Sequence, residues 1–128
     1  WVNDALVMSP SLLLGPEATF AAVPGDPNAF DITFTDRGHS VKSRVFVDAA
    51  GAMVDFSTTD RFYEDWVTKE IRRGEWRTPI SGYTQIDGHK VAGVGHATWH
   101  TTDRGEFTYV TIDSIGEGSA RWNVAPGQ

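Results

Sequence analysis

Arg61 is the residue with the clearest potential for chemistry, because its guanidinium could hold an acidic group while aromatic rings hold an apolar body. It ends a Thr-Asp-Arg run inside a segment of alternating apolar and polar residues. A guanidinium binds a carboxylate or phosphate through two parallel hydrogen bonds and also stacks on aromatic rings. We therefore expect Arg61 at the mouth of an apolar cavity. The predicted ligand-binding residues are Arg61, Trp76, Tyr83, Trp99 and Tyr109.

A structural role for Arg61 is the competing interpretation. Alternation along a strand places Arg61 on the polar side of its strand. From there it would pair with a carboxylate such as Asp55 or Asp113, or stack on Trp76 or Trp99. Both interpretations predict that Arg61 is not simply exposed to solvent.

The histidines offer little for a metal or for catalysis. His96 and His100 share a strand face but stand four residues apart, roughly 13 Å at the strand rise, which is too far to chelate one metal. The chain has no cysteine, no G-x-S-x-G turn and no glycine-rich phosphate loop. We expect no metal and no cofactor. The weakest functional hypothesis is a hydrolase or isomerase that uses His96 or His100 with Asp113.

Composition is that of one ordinary domain. The 128 residues are 40% hydrophobic and carry a formal net charge of -6, so nucleic acid is excluded as an expected partner. The chain begins at Trp1 without a charged leader. We expect a single domain, 1–128, excised from a longer protein, with the missing N-terminal region as one partner. The sequence assigns no compartment and no oligomeric state.

The motif TDRG occurs at residues 35–38 and 102–105, and it predicts hairpin turns. An aspartate can cap such a turn and a glycine accepts positive φ, as in a type I turn closed by a glycine bulge. Residues 48–51 carry the same aspartate and glycine, and residues 87–88 form the dipeptide Asp-Gly of two-residue hairpins. We expect Arg104 to point into water.

The segments between these turns alternate apolar and polar residues, as half-buried strands do. In one segment Val54, Phe56, Thr58 and Phe62 are predicted on the core face. A short helix is expected near residues 3–8, a helical or loop insertion near 63–75, and an irregular tail over 116–128 in which Trp122 docks on the sheet. The fold class is mainly β, an antiparallel meander of about seven strongly curved strands. The predicted strands are 19–23, 30–35, 41–47, 54–62, 76–86, 89–100 and 106–115.

The chain contains the stretches FVDAAGAMVDFSTTDRF, WRTPISGYTQIDGHKV and TWHTTDRGEFTYVTIDSI. Together they resemble the C-terminal part of domain-of-unknown-function family 6544, uncharacterised proteins found mostly in bacteria. The start, WVNDALVMSPSLLL, is similar to the family's N-terminal helix. Ala92 departs from the pattern, which usually has proline there. The matching positions are Phe46, Asp48, Gly51, Asp60, Arg61, Trp76, Tyr83, Asp87, Gly88 and Trp99.

The resemblance brings no established function, so function rests on the residues. By analogy, such a sheet suggests a half-barrel of the lipoprotein-carrier kind, with residues 63–75 as a lid over a cavity. Five tryptophans favour a noncatalytic module that binds a hydrophobic small molecule or a lipid-like amphipathic ligand. The alternative is a protein-interaction or scaffold domain whose aromatic residues only fill its core.

Overall fold

The computed structural model describes residues 1–86, 88–115 and 119–124, with the backbone alone for residues 8, 86, 112–115 and 119–124. Helix α1 spans Val2–Met8 and is followed by a 3-10 turn at Pro10–Leu13. Eleven strands follow among the described residues. They are β1 Ala18–Val23, β2 Asp26–Asp36, β3 His39–Val47, β4 Met53–Glu64, β5 Ile71–Arg77, β6 Ile80–Ser81, β7 Thr84–Ile86, β8 His89–Val91, β9 Val94–Thr101, β10 Gly105–Ile115 and β11 Ser119–Val124.

The strands form one large antiparallel sheet in the order β1-β2-β3-β4-β5-β9-β10-β11. Strand β6 pairs with β9, and β7 and β8 form a separate small hairpin. The mainly β, antiparallel meander is confirmed. Within the described residues β1 and β11 do not pair with each other, so the sheet stays open, and the half-barrel analogy is not confirmed.

Helix α1 packs on one face of this sheet, which we call the inner face. Val2 and Ala5 of the helix and Leu13 of the following turn belong to the buried core. Two consecutive hydrogen bonds also join the helix to the sheet. Trp76 Nε1 donates to the Thr78 hydroxyl at 3.0 Å, and the Thr78 hydroxyl donates to Asn3 Oδ1 at 2.7 Å. The sheet contributes Ile32, Val45, Phe56, Trp76, Ala97 and Trp99 to this core.

Strand β4 contains two irregularities that change which side chains face inward. Opposite β3, Val47 pairs with Met53 while Phe46 pairs with Asp55, so Val54 is an extra residue. Opposite β5, the pairing steps by three residues in β4 and by two in β5. An extra residue reverses the faces of all residues beyond it. The predicted core positions of Val54 and Phe62 are therefore wrong, and both are exposed.

The segment 63–75 is neither a helix nor a long loop. Strand β4 continues to Glu64, β5 begins at Ile71, and only residues 65–70 form the connection. One oxygen of the buried Asp65 accepts hydrogen bonds from the N–H groups of Val67 and Thr68 at 3.0 and 2.9 Å, which makes the loop tight. The predicted lid is corrected as well, because α1 covers the centre of the inner face instead.

Two further boundary predictions differ from the structure. The predicted strand 76–86 is interrupted after Arg77 and resumes as two short strands, β6 and β7. The tail was predicted to be irregular, but residues 119–124 pair with β10 as strand β11. The predicted docking of the Trp122 side chain lies outside the described side chains.

Candidate functional site

Arg61 lies on the inner face against a cluster of aromatic rings. Its guanidinium carbon is 3.6 Å from the centroid of the Trp76 ring and 5.4 Å from that of Trp99. The two tryptophan rings meet edge to face at 5.0 Å, and Tyr63 and Tyr109 extend the cluster on either side, at 5.7 Å from Trp99 and 6.3 Å from Trp76. The predicted stacking of Arg61 on these tryptophans is therefore present.

Asp60 stabilises the irregularity in β4 that turns Arg61 inward. Its carboxylate accepts the backbone N–H of Lys42 at 2.9 Å, in place of a backbone carbonyl of β4, and binds Arg73 Nη1 at 2.8 Å. The hydroxyl of Thr58 donates to the carbonyl of Lys42 at 2.6 Å. Because these side chains replace the regular ladder, the strand accommodates one extra residue. The prediction that Arg61 lies on the polar side is wrong for this reason.

Arg61 has no ion pair with any described residue. Burial of its guanidinium lowers the pKa of Arg61, and the weaker attraction of Asp4 and Tyr109 opposes that shift. Arg61 as a whole residue is exposed, so its guanidinium is stacked on one face rather than enclosed. The predicted partner Asp55 instead pairs with Arg77. The side chain of Asp113, the other predicted partner, lies outside the described residues.

Two other arginines, Arg44 and Arg73, form ion pairs and can be compared with Arg61. Arg44 pairs with Asp31 at 2.7 Å on the opposite, outer face of the sheet, and Arg73 pairs with Asp60. These side chains and Arg61 all keep a large share of their surface in water, so the difference lies in the ion pair and in the stacking of Arg61 on Trp76. Arg61 combines partial desolvation with the lack of a described carboxylate partner, and this combination favours an anion from solution.

A recess of about 630 Å³ lies beside α1 and is bordered by Arg61. Most of its accessible lining is apolar. The ring of Trp1 packs on Phe34 at 4.6 Å between centroids and borders the same recess. The apolar lining comes from Val2, Phe34, Val41 and Phe56, and the polar lining includes Asn3, Asp4, Asp36, Arg37, His39, Thr58, Asp60 and Arg61.

Tyr83 lies away from the other predicted site residues. It borders a second recess, of about 740 Å³, on the side of α1 that carries Leu6 and Val7. Its hydroxyl donates to the carbonyl of Met53 at 2.7 Å, and Lys90 Nζ lies 4.9 Å from its ring centroid. Burial, assisted by the negative charge of Asp48, raises the pKa of Tyr83. Tyr83 and Arg61 therefore border different recesses.

Trp99 and Tyr109 border a third, smaller recess of about 270 Å³ at one end of the sheet. Gly74 makes room for the rings beneath it, since a Cβ at this position would lie 3.0 Å from Tyr63 and 3.1 Å from Trp99. The third recess also includes Arg104, which stacks at 4.9 Å over Trp66 and 4.5 Å over Phe107. Arg104 is exposed, as expected, but it also contacts these two rings, which the sequence did not predict.

The histidines do not form a shared site among the described residues. His96 Nδ1 is 3.1 Å from the hydroxyl of Thr111, and His100 Nε2 is 3.0 Å from a carboxylate oxygen of Glu106. Among the described residues no group of three or more histidine and carboxylate side chains is arranged to hold a metal. The side chain of Asp113, the predicted partner of His96 or His100, lies outside the described residues.

Sequence reasoning missed several residues that build the site. The sequence places Tyr63 in the expected insertion and does not show that Asp60 supports Arg61. A glycine within a strand often marks a close approach, so Gly74 was the one available signal. Trp1 and Asn3 gave no signal, because their role depends on where α1 docks.

Comparisons with known proteins assign the chain to a family, but they assign it no function. No curated protein and no solved structure matches the chain. A family model described as a family of unknown function, DUF6544, matches residues 1–112. This match agrees with the resemblance seen in the three sequence stretches, and the chain belongs to the family of unknown function DUF6544.

Proposed function

We propose that this protein is a noncatalytic module that binds an amphipathic, lipid-like ligand with one acidic group. The apolar part of the ligand occupies the 630 Å³ recess beside α1, and Arg61 holds the acidic group. The observation that carries the proposal is the guanidinium of Arg61, stacked on Trp76 and without an ion pair to a described residue, at the border of an apolar recess.

The chemistry of Arg61 favours an anion. Stacking on an indole ring leaves the edge of the guanidinium, with its N–H donors, available for hydrogen bonds. Partial desolvation strengthens an ion pair that forms there. A bound carboxylate or phosphate would also offset the cost of holding a cation out of water. Asp4 borders the same recess and would repel a second negative charge, which favours a ligand with a single acidic group.

The recess has the size and lining of a small-molecule site. Its volume lies within the usual range of roughly 300 to 1,000 Å³, and ligand sites combine mostly apolar walls with few polar groups. Trp76 and Trp99 are only 4% and 8% exposed and do not border this recess, so they belong to the core behind Arg61 rather than to the ligand's walls. The ligand would therefore lie beside α1 and in contact with Phe34 and Phe56.

The test is a titration with palmitate and with hexadecanol, which share a chain and differ in charge. We expect palmitate to bind and to change tryptophan fluorescence, because Arg61 contacts Trp76. Arg61→Ala should weaken palmitate binding by about 10-fold or more and change hexadecanol binding by less than about 2-fold. Arg61→Lys should restore only part of the loss, since an ammonium lacks the planar fork.

Arg44→Ala is the matched control, because Arg44 is an arginine on the outer face that is already paired with Asp31. It should leave palmitate binding unchanged. Equal losses for Arg44→Ala and Arg61→Ala would contradict the proposal. Native mass spectrometry of the purified protein provides a second test, in which a copurifying acidic lipid is expected for the wild type and absent for Arg61→Ala.

A protein-interaction domain is the second candidate, and the edge strand β1 favours it. Within the described residues β1 has a partner only on its β2 side. Residues 18–23 include no charge and no proline, and Phe20 is half exposed. Natural edge strands are usually protected by charge, proline or a bulge, and β1 has only an irregularity at its end, between Ala22 and Val23. If neither palmitate nor hexadecanol binds, the interaction domain is the remaining hypothesis.

A further inference from the structure

The tip of the β4–β5 hairpin exposes three large apolar side chains close together in sequence. Trp66, Val67 and Ile71 are 60%, 81% and 68% exposed. We call these three residues the hairpin tip. Exposed apolar residues are ordinary when scattered singly, but a cluster at a protruding turn indicates a contact surface.

The hairpin tip is held in a defined shape. The backbone N–H of Trp66 donates to Asp103 of the adjacent β9–β10 turn at 3.0 Å, and the hydroxyl of Tyr63 lies 2.9 Å from that of Thr102. Asp65 closes the loop from within. The exposed apolar side chains are therefore presented by a braced loop, and little conformational entropy is lost when they are buried in a partner.

The charges around the hairpin tip balance, although the protein as a whole is acidic. Residues 64–73 contain three acidic and three basic side chains, Glu64, Asp65, Glu70, Lys69, Arg72 and Arg73, while the whole chain carries a net charge of -6. Ion pairs link most of them: Lys69 with Glu64, Arg72 with Asp65 and Glu70, and Arg73 with Asp60. This end of the molecule can approach a neutral surface without exposing an unpaired carboxylate cluster.

The composition around Trp66 suits the boundary between water and lipid. Lys69 Nζ lies 5.0 Å and the guanidinium carbon of Arg104 lies 4.9 Å from the Trp66 ring. Tryptophan prefers the bilayer interface, and long basic side chains there bury their stems and keep their charges near the headgroups. None of the described helices is long and apolar enough to cross a membrane.

We propose that the hairpin tip inserts into the interfacial layer of a zwitterionic phospholipid bilayer. The contact is peripheral and involves Trp66, Val67 and Ile71. Trp66 also borders the 270 Å³ recess that contains Trp99 and Tyr109, so the inserted tip would place this recess against the lipid surface. The contact does not depend on the proposed function, because the proposed ligand lies in the separate 630 Å³ recess.

The net charge sets the lipid preference. A body with a net charge of -6 is repelled by an anionic surface at low salt, while a zwitterionic surface does not repel it. We therefore expect phosphatidylcholine vesicles to bind the protein, and we expect added phosphatidylserine to weaken binding at low salt. Screening by salt should reduce that difference.

The experiment is flotation of the full chain with phosphatidylcholine vesicles. Trp66→Ala and Val67→Ser should each lower the partition coefficient by about 10-fold, since each removes apolar surface that the bilayer would bury. Leu14→Ser is the matched control, because Leu14 is 78% exposed outside the hairpin tip, and it should change the partition by less than about 2-fold. Urea denaturation of each variant checks that it remains folded.

Three results would overturn the proposal: no flotation of the wild type, equal losses for Leu14→Ser and Val67→Ser, or binding only to anionic vesicles. Self-association that Val67→Ser abolishes, without flotation, would assign the hairpin tip to a second copy of the chain instead. Val67→Ser should still bind palmitate in vesicle-free buffer, and Arg61→Ala should still float. Failure of the membrane contact is thus distinguishable from failure of ligand binding.

Discussion

The two TDRG motifs have the same four residues and different structures. In the first, Asp36 is the last residue of β2, and Arg37 and Gly38 form a two-residue hairpin with φ of 48° and 83°. In the second, residues 102–104 form a three-residue connection, and Gly105 opens β10 with φ of 70°. A local motif therefore determines that the chain turns, while the pairing of the flanking strands determines which turn it makes.

The two motifs also differ in what their side chains contact. Asp103 binds the backbone of Trp66 in the next hairpin, and Arg104 stacks on Trp66 and Phe107. The first motif lies at an exposed corner, where Arg37 and His39 border the recess beside α1. The repeat is thus not a repeated active site. Its second copy connects two neighbouring hairpins, and its first copy ends a single one.

The largest expected effect tests what the motifs share. Gly38→Val and Gly105→Val should each destabilise the protein by about 1 to 2 kcal/mol, because each glycine has positive φ. A Cβ at either position would meet nothing within 4 Å, so backbone strain alone sets the cost. Urea denaturation measures it. The corresponding asparagine variants should lose less, since asparagine tolerates positive φ, and an unchanged Gly105→Val would disprove the turn assignment.

The next largest effect is a difference in stability between aspartate variants of the two TDRG motifs. Asp103→Ala should lower the urea midpoint at pH 7, because it leaves the N–H of Trp66 without its acceptor. Asp36→Ala should leave the midpoint nearly unchanged, since Asp36 is exposed at the end of β2. Hydrogen exchange of the Trp66 amide should accelerate only in Asp103→Ala. Equal midpoints for the two variants would mean that the connection between the hairpins contributes nothing.

Lowering the pH provides a control for the predicted effect of Asp103→Ala on stability. The Trp66 N–H, with a smaller contribution from the charge of Arg104, lowers the pKa of Asp103. A lowered folded-state pKa contributes stability that is present above the unfolded value, about 3.9, and is lost as pH falls through the folded value. The difference between wild type and Asp103→Ala should therefore shrink below about pH 4. A constant difference down to pH 2 would argue against the carboxylate as its source.

The smallest effect concerns the arginines. Arg104→Ala should cost about 0.5 to 1 kcal/mol, the usual range for an exposed cation over aromatic rings. Arg37→Ala should remain within error of the wild type, because among the described residues Arg37 stacks on no ring and forms no ion pair. The two variants are compared by urea denaturation. A larger loss for Arg37→Ala would reverse the comparison.

Strand positions were largely predictable because burial of one face leaves a period of two in the sequence. Residues 30–35 and 41–47 fall within β2 and β3, and the hairpin connections between them follow from aspartate and glycine. The tail was missed because its glycines and proline outweighed the apolar residues of 119–124. Strand β11 depends on pairing with β10, and such pairing has no local signal.

The role of the five predicted ligand-binding residues stays a prediction, and the structure shows only how they are arranged. Arg61, Trp76, Trp99 and Tyr109 meet as one cluster, while Tyr83 lies in another recess. Residue types alone suggested stacking of arginine on tryptophan. The predicted face of Arg61 was wrong because strict alternation of positions does not account for the extra residue in β4.

The extra residue in β4 has a consequence for how this site is inherited. A relative can keep an arginine aligned with Arg61 and still lack the site, if its strand runs without the additional residue supported by Asp60. Its arginine would then emerge on the outer face, and the residue aligned with Phe62 would turn inward. Identity at one alignment column is therefore insufficient evidence of shared function in this family. A relative has the same arrangement only if it combines three features: the arginine, the aspartate, and the strand length that orients the arginine.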